Sequence, residues 1–274
     1  MTASSHTLAP SGEQACSWKI NREIVMLLGW PAAILMQLAH PLVLAGVLDH
    51  SVAVAQPRRR LERLHSTIES MLLLTFGSEQ DVQRTADKIN RIHDYVHGRL
   101  ERPAGRFAAG TGYSAHDPVL LRWVHATLID VLPRTYELLV GPLSPQEKDT
   151  YCAEATELGP LLHMPDSYLP VTMEELETYM NGVYASGAIE VTDEARALAA
   201  ELLAPPWPLP KWRLLCWPNA DLTILLLPPG LRQAYGFGWG RGQQARSRLT
   251  AGLIRRVLPL LPPLLRHWPA SRRT

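Results

Sequence analysis

The sequence of 274 residues predicts an all-α fold: a single globular domain of roughly ten helices. Apolar residues recur at three- and four-residue spacing along most of the chain, which is typical of amphipathic helices. No run alternates apolar and polar residues for more than a few positions, and no Asn-Gly hairpin signal flanks such a run. No repeat of fixed length is present, which argues against a solenoid or a propeller.

Composition places the chain among globular proteins that work in a reducing compartment. Apolar residues make up 46% and charged residues 19%, which excludes a disordered chain. The formal net charge of +1 gives no reason to expect a nucleic-acid partner. Cys16, Cys152 and Cys216 lie far apart and form neither a disulfide framework nor a CxxC metal site. We therefore expect a cytoplasmic protein.

The chain divides into a domain and two short ends. Residues 1–17 lack the basic segment and apolar core of a signal peptide, so we expect a disordered lead-in. Residues 18–265 form the predicted helical domain. Residues 266–274 are predicted to be a basic tail. The longer Arg-rich stretch from Arg246 onward suggests contact with a membrane surface, although solvated faces and helix ends explain its charge equally simply.

Residues 24–48 are apolar and long enough to be mistaken for a membrane span. Pro31 and Pro41 interrupt them, and Gln37 and His40 lie at their centre. Proline starts or bends a helix, so these residues predict a pair of buried core helices rather than a transmembrane span.

Helix-start and helix-stop signals order the remaining elements. Asp117-Pro118 and Ser144-Pro145 each combine an N-cap residue with a proline at the first helical position. The predicted elements are a short helix at Trp18–Leu28, the pair at Pro31–Leu48, a Gly- and Pro-rich mobile loop at Glu101–Ala115, a helix from Pro118 kinked at Pro133, helices opened by Ser144, Thr172 and Thr192, an irregular stretch at Trp207–Trp217, a short helix or strand at Asp221–Leu227, and an amphipathic segment at Gln243–Leu261.

Two helices joined at Phe76-Gly77-Ser78 organise the rest of the chain. The first carries Arg60 and Arg63 beside an apolar stripe, whose members are Leu61, Leu64, Ile68, Met71 and Thr75. In the second, His93 shares a predicted face with Ile89, Val96 and Leu100, and His97 follows one turn later.

A histidine on an apolar face is either a hydrogen-bonded core residue or a ligand, and spacing leaves both interpretations open. Histidine is a common axial ligand of haem iron, and arginines suit the haem propionates. A non-haem metal on His93 and His97 would need a further ligand, and no Glu-x-x-His motif occurs.

Six motifs in order resemble the MpaB/latex-clearing-protein oxygenase family over about residues 20–265: PAAILMQLAHPLVLAGVLDHS, QPRRRLERLHSTIESMLLLTFG, IHDYVHG, GYSAHDPVLLRWVHATLID, GPLSPQEKDTYCAEA and LLLPPGLRQAYGFGW. The resemblance implies an all-helical fold with a globin-like core that holds haem b. It also implies that His93 is the metal ligand and that the iron is the catalytic centre.

The same resemblance assigns roles to the first organising helix. The family's Arg-x-x-Lys-Thr signature corresponds here to Arg60, Arg63 and Leu64, so the arginine is kept while lysine and threonine are replaced. An arginine stays charged and ligates iron poorly. Arg60 and Arg63 are thus expected to be catalytic or propionate-binding residues, with Leu64 beside the cofactor. The sixth iron position is then open, water-bound or filled by another group.

Further histidines are candidates for lining the cofactor pocket: His40, His50 and His125. For each, a buried histidine hydrogen-bonded to the backbone or to a neighbouring carboxylate is the ordinary interpretation. The resemblance implies a haem b-dependent oxygenase that acts on an apolar, alkene- or isoprenoid-like molecule, with dioxygen at the iron opposite His93 and a reductant as a conceivable partner. The alternative is a haem-binding sensor, carrier or electron-transfer protein without turnover, or a site that has decayed.

Overall fold

The structure, a computed structural model, describes residues 15–50, 57–203 and 220–272, and it describes side chains in the helix that begins at Pro57 only from His65 onward. Within these residues helices dominate and the only sheet is a pair of three-residue strands, which confirms the predicted all-α class.

The α-helices are α1 (Cys16–Asn21), α2 (Trp30–Leu38), α3 (Pro41–His50), α4 (Pro57–Phe76), α5 (Glu79–His93), α6 (Pro118–Leu139), α7 (Pro145–Ala155), α8 (Leu158–Leu161), α9 (Met173–Ala185), α10 (Asp193–Leu203), α11 (Pro229–Ala234), α12 (Arg241–Val257) and α13 (Pro263–Arg266). Residues 220–226 are also helical. Short 3-10 helices cover Ile24–Leu28, Leu258–Leu260 and Pro269–Arg272, and the strands are β1 (His97–Arg99) and β2 (Gly112–Ser114).

The core is built where α2 packs along α6. Leu35 on α2 is 0% exposed and Trp123 on α6 is 1% exposed, and burying such side chains stabilises the fold by about 1.5–3 kcal/mol each. The two helices come close together at Gly29, where an added Cβ would lie 2.2 Å from Thr135 Oγ1. A glycine is therefore required where α2 begins.

The apolar stretch at residues 24–48 forms two helical arms, as predicted. Its Ile24–Leu38 part and α3 meet at a bend of 104° beside Pro41. By length and composition alone this bent pair resembles a broken span, whereas no single helix among the described residues is long and apolar enough to cross a membrane.

The predicted helix caps are present. Asp117 Oδ1 accepts a hydrogen bond from the Val119 amide at 2.8 Å. Ser144 and Glu147 form a reciprocal capping box, which satisfies two amides that the helix itself leaves unpaired. At Pro133, where a kink was expected, α6 continues as one helix.

Two regions differ from the prediction. The helix expected at Trp18–Leu28 is divided at Glu23, whose backbone forms a β-bridge with His267. Part of the loop expected at Glu101–Ala115 pairs with β1 as an antiparallel hairpin, with His97 opposite Ser114. Both differences arise from contacts that are distant in the chain, which local signals do not encode.

The segment predicted as a basic tail packs on the N-terminal helices as far as Arg272. Trp268 donates its amide to the Arg22 carbonyl at 3.0 Å and packs in a small apolar cluster with Trp18 and Phe76. The C-terminal residues thus pack against α1 and the end of α4.

Candidate functional site

His93 is the last residue of α5, and local signals fix where that helix begins. Ser78 and Asp81 form a capping box at its start. The buried face of α5 then passes through Thr85, Ala86 and Asn90 to His93. Asn90 Nδ2 donates to the Leu161 carbonyl at 2.8 Å, which anchors this end of the helix on α8.

The His93 imidazole is half-buried, and its Nδ1 atom is buried without a hydrogen-bond partner in the structure. Burial lowers the pKa of His93, the neighbouring His116 lowers it further, and Asp94 partly offsets both. A neutral imidazole with an unsatisfied nitrogen is the form that binds a metal, so this side chain suits a ligand role.

His116 and His163 complete a row of three histidine rings, and sequence reasoning missed both. The His116 ring stands edge-on to His93, with centroids 5.7 Å apart, and stacks on His163 at 6.0 Å. His116 Nε2 donates to Asp94 Oδ1 at 2.8 Å. The one available signal was the position of His116 directly before the Asp117 N-cap, in the sequence GYSAHDP.

The helix does not continue past His93, so the prediction that Val96 and Leu100 share a helical face with His93, with His97 one turn on, is wrong. The helix ends at His93, and His97 opens β1, where its side chain is exposed and its carbonyl lies 3.0 Å from His50 Nε2. Val96 and Leu100 likewise lie outside the helix. The helix ends here because residues 97–99 pair with residues 112–114 to form the hairpin.

His40 and His125 are buried, but neither has a ring contact with His93 among those found in the described residues. Burial lowers the pKa of His40 to about 4, with Arg106 adding to the effect. Its ring packs on Phe107, with centroids 5.3 Å apart, and its Nδ1 has no partner.

His125 lies in the middle of α6. Burial lowers its pKa to about 4, and a hydrogen bond to the Ala155 carbonyl offsets part of that shift. This bond corresponds to the ordinary interpretation of a buried histidine, in which the backbone satisfies the ring.

A second polar cluster joins α3 to the hairpin. The Tyr113 hydroxyl donates to Asp49 and lies 3.3 Å from His50 Nε2. Tyr113 is buried, and an added Cβ at Gly98 would lie 2.5 Å from its hydroxyl oxygen. This cluster holds the hairpin that follows His93, and it places His50 away from the ring row.

Helix α4 runs antiparallel to α5, and Lys88 Nζ lies 3.4 Å from Ser66 Oγ. The antiparallel course directs the first turns of α4 toward the His93 end of α5. The side chains of Arg60, Arg63 and Leu64 lie outside the described residues, so their predicted roles stay predictions.

The second half of α4 closes a narrow apolar cleft against the core, with a cavity volume of about 30 Å³. Ile68 and Met71 of α4 face Met26, Trp30 and Leu132 across it. That volume holds about one water molecule. This cleft is therefore a packing gap in the structure, too small to hold an organic substrate.

Within residues 15–50, 57–203 and 220–272, no group of three or more His, Cys, Asp or Glu side chains is arranged to hold a metal ion. The row of three histidine rings is therefore not itself a three-ligand metal site.

Residues 18–256 match the family described as "ER-bound oxygenase mpaB/B'/Rubber oxygenase, catalytic domain". The chain belongs to this family. No curated protein and no solved structure matches the chain.

Family membership makes this domain an oxygenase, a member of the oxidoreductases. The match contains the whole of the site described above, from the α2–α3 arms through α4, α5 and the hairpin to His163. The membership that the sequence motifs predicted is confirmed.

Proposed function

We propose that this oxygenase-family domain uses haem b, with His93 as the axial ligand, to oxygenate an apolar small molecule. The observation that carries the proposal is the half-buried His93 with an unpartnered Nδ1 at the end of α5. When bound, haem iron supplies the dioxygen chemistry, while the protein sets ligation, polarity and access.

The residues around His93 fit this role. Burial lowers the pKa of His93 and so favours the neutral imidazole, the form that ligates iron. His116, held by Asp94, lies against one edge of the ring and limits its rotation. Restraint of a ligand histidine by neighbouring polar groups is the usual arrangement around haem and metal centres.

The facing helix supplies the remaining proposed contacts. Arg60 and Arg63 lie on the turns of α4 that are directed toward the His93 end of α5. Each would bind a haem propionate through paired hydrogen bonds or supply positive charge beside the cofactor. Leu64 would keep the surroundings of the cofactor apolar, which suits an apolar substrate that reacts with dioxygen.

The experiment is an absorption spectrum of purified protein supplied with haem, for the wild type, His93→Ala and His97→Ala. His97 is the matched control because it is a histidine four residues away with an exposed side chain. We expect a Soret band in the wild type and in His97→Ala. His93→Ala should lose or strongly shift it, and free imidazole should restore it.

Either of two results would overturn the assignment: no Soret band in the wild type, or an unchanged band in His93→Ala. Circular dichroism should show equal helix content in all three proteins. The spectral type also separates oxygenase from non-enzymatic roles, because an open or water-bound sixth position permits turnover, whereas two strong axial ligands indicate electron transfer. Dioxygen consumption with an alkene substrate then tests turnover directly.

A further inference from the structure

The C-terminal part of the chain has a charge composition unlike the rest. Residues 222–274 contain nine arginines and no acidic residue, and all 26 aspartates and glutamates lie at or before Asp221. The formal net charge of +1 therefore conceals an acidic body and a strongly basic C-terminal region. Such an asymmetry is a sequence sign of an anionic partner.

The same region exposes apolar side chains. Of the ten large apolar residues exposed among the described residues, six lie between residues 249 and 265. Their exposed fractions are 73% for Leu249, 62% for Leu253, 43% for Val257, 80% for Leu260, 71% for Leu264 and 65% for Leu265. Single exposed leucines are normal, but a consecutive set marks an interaction surface. We call these six residues the C-terminal apolar surface.

Helix α12 presents its larger apolar residues to the outside. Its buried positions include the small residues Ser247 and Ala251, and this side packs on α6. Leu249, Leu253 and Val257 follow one another at four-residue spacing, so they form one stripe on the outward side. A surface helix whose outer side met only water would carry its leucines on the side that packs against the protein.

Arginines share the exposed part of α12 with that stripe. Arg241, Arg248 and Arg255 recur every seven residues along the helix, which aligns them in a row of their own. All three are exposed. Arg248 and Arg255 have no carboxylate within ion-pair distance in the described part of the chain, whereas Arg266 is paired with Glu23.

We propose that the C-terminal apolar surface docks on an anionic lipid bilayer, with α12 lying in the plane of the interface. The leucines would enter the boundary between headgroups and acyl chains, and the arginine row would bind lipid phosphates. Charge complementarity favours this partner over a second copy of the chain, because a two-fold dimer through the same face would bring two arginine rows together. The proposal does not depend on haem or on His93.

The test is co-sedimentation of the purified full chain with vesicles of phosphatidylcholine alone, or with about one-third phosphatidylserine. We expect binding to the anionic vesicles, weakened by added salt. The double variant Arg248→Gln/Arg255→Gln should bind about fivefold more weakly for each arginine removed. Leu249→Ser/Leu253→Ser should weaken binding by about tenfold or more, because the buried apolar area is lost.

Matched controls come from exposed residues elsewhere: Val171→Ser and Arg84→Gln, which should bind as the wild type does. All variants should keep the wild-type unfolding midpoint, since each altered side chain is exposed. No binding of the wild type, equal binding to both kinds of vesicle, or a wild-type dimer that the leucine variant loses would each overturn the proposal.

Discussion

Glu23 and Arg266, 243 positions apart in the chain, form a buried two-point ion pair. Arg266 Nη2 lies 2.7 Å from Glu23 Oε1, and Arg266 Nε lies 2.8 Å from Oε2. The Glu23 side chain is 1% exposed and that of Arg266 is 23% exposed. Two parallel N–H···O bonds give the pair a fixed geometry. This contact joins the C-terminal segment to the break between α1 and the following 3-10 helix.

Glu23→Gln should lower the free energy of unfolding by about 3 kcal/mol, because it leaves a largely buried guanidinium without its countercharge. Urea unfolding followed by circular dichroism measures the change. The control is Arg84→Gln, which removes the exposed Arg84–Asp81 pair and should change stability little. An unchanged midpoint in Glu23→Gln would show that the pair does not hold the C-terminal segment.

Gly98→Ala should destabilise the hairpin beside His93 by about 2 kcal/mol, because the new Cβ would overlap the Tyr113 ring. That Cβ would lie 2.5 Å from the hydroxyl oxygen and 2.7 Å from Cζ. Gly112→Ala on the partner strand is the matched control, since its nearest neighbour would be 3.9 Å away. Thermal unfolding of the two variants compares them, and equal melting temperatures would contradict the close approach.

Stability should fall as the pH drops from about 6.5 to 4, partly through His125. The folded-state pKa of His125 is lowered to about 4, so the unfolded chain binds the proton first. The stability that His125 contributes is therefore present above its unfolded pKa and is lost as the pH falls through the folded one. A shift of this size corresponds to about 3 kcal/mol.

The measurement is urea unfolding at pH 7, 5.5 and 4.5 for the wild type and His125→Gln. Glutamine can still donate to the Ala155 carbonyl but does not titrate, so the variant should show a shallower pH dependence. His97→Gln is the control, because that side chain is exposed. Equal slopes for the wild type and His125→Gln would contradict the prediction.

Several elements could be predicted from the sequence because their causes are local. The caps at Asp117 and Ser144, the break at Pro41 and the start of α5 each depend on residues within one helical turn. His93 was selected by its place in a short motif, and its buried, unpartnered Nδ1 agrees with that selection. Its role as a haem ligand stays a prediction until the spectra are measured.

The surroundings of His93 could not be predicted, because they depend on segments that meet only in the folded chain. His116 reaches His93 after the hairpin reverses the chain, and His163 arrives after α8. The periodicity that placed Val96 and Leu100 on one helical face with His93 failed for the same reason: pairing of residues 97–99 with residues 112–114 replaced a further helical turn. Local propensity yields to such long-range contacts.

The sequence alone determined the helical class, the family and the basic, acid-free C-terminal region, because periodicity, motifs and charge are local or additive properties. Only the tertiary structure decided which histidines are neighbours, that Arg266 is paired with Glu23, and that Leu249 and Leu253 face outward. A helical pattern shows that an apolar face exists but not which element covers it. On α12 small residues occupy the inner face against α6, so the leucines remain exposed.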